Sequence, residues 1–105
     1  MNFATNSAGI TEEAAVTMGD LAAVLVACEC PLTLHGFADP RPTSYPGGNE
    51  RLSFDRASSV RTELIGRGVP PELVVAVFGH GTENPVRGDL AASRRVEIEL
   101  ECPGR

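Results

Sequence analysis

The sequence has 105 residues, 42% of them hydrophobic and 22% charged, enough for one domain with one modest core and unlike a disordered chain. Nine basic residues, every one arginine, stand against fourteen acidic ones for a formal charge of −5, which leaves no basic face for nucleic acid. The longest apolar runs fall far short of the roughly 20 residues of a membrane-crossing helix, no export signal is legible, and the few aromatics exclude an aromatic ligand cage.

Met1 to Thr5 reads as a short strand and Asn6 to Gly9 as a loop. Thr11 can cap a helix whose first turn carries Glu12 and Glu13 at the positive end of its dipole. Apolar residues at Ala14, Met18, Leu21, Leu25 and Cys28 then predict an amphipathic helix over 12–28, ended by Pro31. Leu32 to Phe37 alternates like a strand. From Ala38 to Gly48, three prolines and two glycines forbid regular structure, and a loop of that length in so small a domain is usually functional. Asn49 or Ser53 can cap a second helix with Leu52, Ala57, Val60 and Leu64 on one side, stopping near Gly66 to Gly68. Leu73 to Phe78 is continuously apolar and predicts a central strand buried on both faces. After a loop over 82–93, Arg95 to Glu101 alternates strictly and predicts a strand with one wet face.

The order β-α-β-α-β-β implies a two-layer α/β (α+β) sandwich with a mixed sheet, its last strand antiparallel to the one before. The chain reads as a single domain over 1–105, excised from a longer protein. Cys28, Cys30 and Cys102 supply no recognisable zinc spacing, and His35 and His80 are too scattered to complete one, so no metal or cofactor is expected. Two readings of the thiols stay open: three idle cysteines, or a disulfide from Cys102 to either Cys28 or Cys30.

Arg56 falls between Leu52 and Val60 on the helical wheel, at the edge of the apolar stripe, where a charge is costly unless paired. Asp39, at the end of a strand and the mouth of the long loop, is its natural partner, and ligands in α/β sheets bind outside such strand ends. An aspartate and an arginine on one rim make a receptor for a zwitterion, the carboxylate taking an ammonium and the guanidinium a carboxylate. The same pair can equally be a plain structural salt bridge.

His35-Gly36-Phe37-Ala38-Asp39, then Asn49-Glu50-Arg51-Leu52-Ser53-Phe54-Asp55-Arg56-Ala57 and Val60, resembles the G-x-[TA]-D … N-x-x-L-S-x-x-R-A-x-x-V signature of OmpA-like peptidoglycan-binding domains. That family includes the OmpA C-terminal domain, Pal and MotB. Phe3 to Ser7, Gly68-Val69-Pro70, Gly79 to Pro85 and Ser93 to Ile98 resemble its further motifs in the right order, so the likeness covers residues 3–100. The resemblance implies non-enzymatic, non-covalent binding of the peptidoglycan stem peptide, chiefly its meso-diaminopimelate, on the extracytoplasmic side of a bacterial envelope. Asp39 would hold the ammonium and Arg56 a carboxylate. Asn6 and the backbone of Pro40 and Arg41 would line the pocket, and Asn49 would support it. The parent protein would be membrane-attached, with a homodimer open. The alternative is an envelope scaffold of the same fold, of motor-stator or secretion-system type, with little peptidoglycan affinity.

The departures are few: Ala38 stands where threonine is commonest, Pro40 lacks an N–H to give a ligand, the loop to Asn49 is about two residues longer than the commonest form, and Ser93 replaces the usual asparagine before the arginine pair. Of Arg94 and Arg95, one is expected to anchor a loop and the other to be solvated. His35 reads as a packed or surface residue, His80 as an exposed turn, and Ser53 as a helix cap. No nucleophile and base recommend themselves.

Overall fold

A computed structural model describes residues 1–102. Helix α1, Glu12–Cys28, begins where the Thr11 side chain accepts from the Ala14 N–H and ends at Glu29, which adopts a left-handed conformation. Strand β1, Leu32–Gly36, follows, then α2, Gly48–Gly66, and, after a short turn of 3-10 helix, β2, Val74–Gly79. A one-turn helix α3, Leu90–Ser93, precedes β3, Val96–Leu100. No helix among the described residues is long and apolar enough to cross a membrane.

The sheet order is β2-β1-β3, with β1 parallel to β2 and antiparallel to β3. This is the expected mixed sheet of a two-layer sandwich, with two differences. The expected first strand is reduced to one antiparallel bridge, Asn2 to Arg95, flanked by hydrogen bonds from Phe3 N–H to Arg94 and from Val96 N–H to Met1. The second difference is the position of the apolar strand. β2 lies at a sheet edge and β1 is the central strand. Leu32 and Leu34 of β1 are fully buried, whereas Val75 and Phe78 of β2 are 62% and 48% exposed. The helices cover only one face, so a continuously apolar strand still shows half its side chains to the open face.

The core lies between that covered face and the helices. Met18 and Leu25 from α1 and Ala57, Val60 and Leu64 from α2 meet Leu32, Leu34 and Val96 from the sheet. Each of these Met, Leu and Val side chains contributes roughly 1.5–3 kcal/mol on leaving water, and Ala57 less than about 1 kcal/mol. α2 packs closest at the carboxyl ends of the parallel strands. A Cβ on Gly36 would stand 1.8 Å from the Ser53 carbonyl oxygen, and one on Gly79 would stand 2.6 Å from the Phe54 nitrogen. Only glycine allows that approach, which sets the start of α2 beside the residues that leave β1.

Cys30 and Cys102 form a disulfide, and Cys28 is an exposed free thiol. The antiparallel pairing of β1 and β3 brings Leu32 opposite Leu100, so the chain just before β1 meets the chain just after β3.

Candidate functional site

Beyond Gly36 the chain stays between its two neighbours: Phe37 N–H donates to Arg95 and Ala38 N–H to Gly81. This delivers Asp39, 7% exposed, to the carboxyl end of the central strand. A cavity of about 120 Å³ opens there, lined by Thr5, Asn6, Asp39, Arg41, Pro42, Thr43, Asn49, Leu52 and Arg56. Five of the six residues singled out from the sequence, Asp39, Arg56, Asn6, Asn49 and Arg41, therefore share one site. Pro40 is exposed and does not line it; Pro42 does. Thr5, Thr43 and Leu52 are further lining residues that no residue-type argument had singled out.

The expected Asp39–Arg56 ion pair does not form. Arg56 is fully buried and spends its guanidinium on carbonyls: Nε donates to Ser7 at 2.9 Å, Nη1 to Phe37 at 3.0 Å and Nη2 to Ala4 at 3.0 Å. It also lies 5.5 Å from the centre of the Phe3 ring. The arginine thus ties α2 to the N-terminal loop and to the end of β1. A guanidinium has five N–H donors, so two remain beyond these three bonds. Burial and the nearby Arg94 charge lower its pKa to about 10, so it stays charged at neutral pH.

Asp39 is paired instead with two other arginines. Arg41 gives Nε to Oδ1 at 3.2 Å and Nη2 to Oδ2 at 2.9 Å, and its backbone N–H adds a third bond at 3.0 Å. Arg94 gives Nη1 to Oδ2 at 3.2 Å and Nε to the Phe3 carbonyl at 2.7 Å. These donors, Arg41 foremost, hold the Asp39 carboxyl down to about pKa 2 against its partial burial. Asp39 accepts from the N–H two residues on, at Arg41, which closes an aspartate turn.

The loop over the cavity is tied on both sides. Asn49, in the first turn of α2, donates to the Arg41 carbonyl at 2.9 Å. Asn6, in a left-handed conformation, accepts from the Thr43 hydroxyl, and its amide meets Ser44. Tyr45 donates to Asp55 at 2.6 Å, a bond that raises the Tyr45 pKa. Neither Asn49 nor Ser53 caps α2. The cap residue is Gly47, with φ of 88° and no side-chain bond. The buried Ser53 hydroxyl instead donates to Glu50 and accepts from Gly81 N–H at 2.8 Å, holding the loop after β2 against the helix. Arg94 and Arg95 are both anchored, contrary to the expectation that one is solvated. Arg95 bonds Asn84 and Glu97 and lies 4.1 Å over the Phe37 ring.

On the open sheet face, outside the cavity, His35 and His80 meet. Nδ1 of His35 is 2.7 Å from Nε2 of His80, and Nε2 of His35 is 2.9 Å from Glu99. With Glu99 accepting from Nε2–H, the bare Nδ1 accepts from His80. Both rings stack with Phe37 or Phe78. The parallel register that pairs His35 with Phe78 brings His80, two residues on, into reach. Among the described residues no group of three or more histidine, cysteine or acidic side chains could hold a metal ion.

A small α/β sandwich carrying a charged cavity at the carboxyl end of its central strand is the class of domain these features define. A sequence profile of the OmpA family matches residues 2–99, and the chain belongs to that family, as its motifs imply. It is 39% identical to outer membrane protein A of Yersinia pseudotuberculosis over 80 residues, which cover 63% of this chain and 22% of that protein. It is 39% identical to outer membrane protein A of Shimwellia blattae over 67 residues, 50% of this chain and 27% of that protein. The chain thus spans about a quarter of these curated relatives. Among solved structures, the C-terminal domain of Helicobacter pylori MotB superposes with a TM-score of 0.85 at 22% identity, covering 97% of this chain and 83% of that one. The peptidoglycan-associated lipoprotein of Burkholderia pseudomallei gives 0.77 at 24% identity, covering 94% and 85%. By their names these relatives are outer-membrane, periplasmic and lipoprotein components of the bacterial envelope.

Proposed function

We propose that this domain binds peptidoglycan non-covalently and without turnover, through the meso-diaminopimelate of the stem peptide, and so anchors an envelope protein to the cell wall. Asp39 takes the ammonium of the terminal amino-acid head group, and the two remaining N–H groups of Arg56 take its carboxylate. Asn6 and the loop at Arg41 line the sides, and Asn49 fixes the loop. The observation that carries this reading is the presence of Asp39 and Arg56 in one small cavity, both charged at neutral pH, Arg56 on α2 and Asp39 just past the end of β1. A ligand carrying both charges then meets a loop backbone already fixed by its own hydrogen bonds. The names of the envelope relatives point the same way, and the parent protein would be membrane-attached.

The second reading, a scaffold of the same fold with little peptidoglycan affinity, is favoured by one observation. Every charge around the cavity already has a partner within the chain. Cosedimentation with purified diaminopimelate-type sacculi separates the two. The anchor reading expects the wild-type domain to pellet with sacculi and a folded Asp39→Asn variant to stay in the supernatant. A folded Asp39→Asn domain that pellets like wild type overturns it.

A further inference from the structure

The Arg41 side chain occupies the position that the proposed ligand's ammonium requires. Its Nε and Nη2 each donate to one oxygen of Asp39, the two-pronged arrangement in which guanidinium and carboxylate fit best. The two arginines on Asp39 differ in exposure. Arg94 approaches from inside with 15% of its side chain exposed and is also tied to the Phe3 carbonyl, whereas Arg41 is 48% exposed at the cavity mouth. The Arg41 backbone is pinned independently, its N–H to Asp39 and its carbonyl to Asn49. The guanidinium can therefore swing out by changing rotamer while the loop stays in place; beyond Asp39, among the described residues, it leaves one further hydrogen bond, to the Thr5 hydroxyl at 3.3 Å.

Resting on the anchor reading above, we infer that Arg41 is a built-in competitor for the ammonium subsite. It caps Asp39 in the free domain, and the ligand must displace it. Two consequences follow from the charges. Because the cap re-forms without diffusion, it competes with stray cations for Asp39. The ligand must also replace a bidentate contact, so a head group that brings only an ammonium exchanges one cation for another. A head group that also brings a carboxylate gains the attraction of Arg56 and of the released Arg41. The cap thus lowers affinity for every ligand and favours zwitterions over simple amines.

A half-exposed ion pair of this kind is worth at most roughly a fivefold change in affinity. The test is calorimetric titration with the soluble stem tripeptide ending in meso-diaminopimelate. Arg41→Ala is expected to bind it roughly fivefold more tightly than wild type, and Arg41→Lys, which keeps the charge but loses the fork, should fall between them. Arg41→Ala binding equal to or weaker than wild type overturns the inference, since Arg41 would then be inert or part of the ligand's own site. Asp39→Asn, titrated in parallel, reports on the anchor reading separately. If it binds like wild type, the receptor assignment itself fails, whatever Arg41 does. A second readout is the Arg41 Nε–H resonance, expected to be protected in the free domain and to lose that protection at saturating tripeptide. Protection that persists at saturation overturns the displacement.

Discussion

Replacing Arg56 by alanine removes a fully buried guanidinium that holds three separate segments together. Its bonds to Ala4, Ser7 and Phe37 run 2.9–3.0 Å, and the Phe37 contact is buried while the other two reach partly wet carbonyls. Hydrogen bonds to a charged donor contribute about 1.5–3 kcal/mol each, and leaving a buried acceptor empty costs about 1–3 kcal/mol. Water can replace the donor at Ala4 and Ser7, and the variant no longer bears the cost of burying a charge, so the three bonds do not simply add. The net loss should be about 4 kcal/mol, close to the 5–15 kcal/mol that holds a domain together, once the emptied acceptors and the void left by a fully buried side chain are counted together. With a urea slope of about 2 kcal/mol/M, the midpoint of unfolding followed by circular dichroism should fall by about 2 M. A loss below about 1 kcal/mol would refute the view that Arg56 holds these segments together. Binding defects of Arg56→Ala therefore mix lost contact with lost fold, and the binding test belongs to Asp39.

The Asp39 pKa of about 2 against 3.8 for the free group has a definite pH signature. A depressed native pKa stabilises the fold above the unfolded value and loses that contribution as pH falls through 3.8 towards 2. The contribution is roughly 2 kcal/mol at neutral pH. Urea unfolding across that window should show the loss in wild type and a flatter profile in Asp39→Asn; equal slopes would contradict the assignment. The Cys30–Cys102 disulfide closes a span of 72 residues, and its removal by Cys30→Ser should cost about 4 kcal/mol in the chain-entropy account. Non-reducing peptide mapping should find Cys28 free, and a Cys28–Cys102 peptide would refute the pairing.

Features governed by near neighbours were legible in the sequence. The Thr11 cap and the 4-3-4-3 apolar spacing place α1 at Glu12–Cys28, and the Glu97, Glu99, Glu101 alternation places β3, because capping and periodicity are properties of a few consecutive residues. The motif pair Asp39 and Arg56, read from the sequence, lines one cavity. Features that depend on how distant segments close on one another were not legible. The apolar run of β2 carries no mark of whether a further strand lies beyond it, so its edge position emerged only with the sheet order. Asp39 finds Arg94 from 55 residues away, an encounter created by the Asn2–Arg95 bridge and the chain reversal into β3. Cys28 and Cys30 are two residues apart, yet the left-handed turn at Glu29 leaves the first exposed and the second 3% exposed. Local periodicity determines which residues form an element, but burial and partnership are decided by the long-range contacts that fold the elements together.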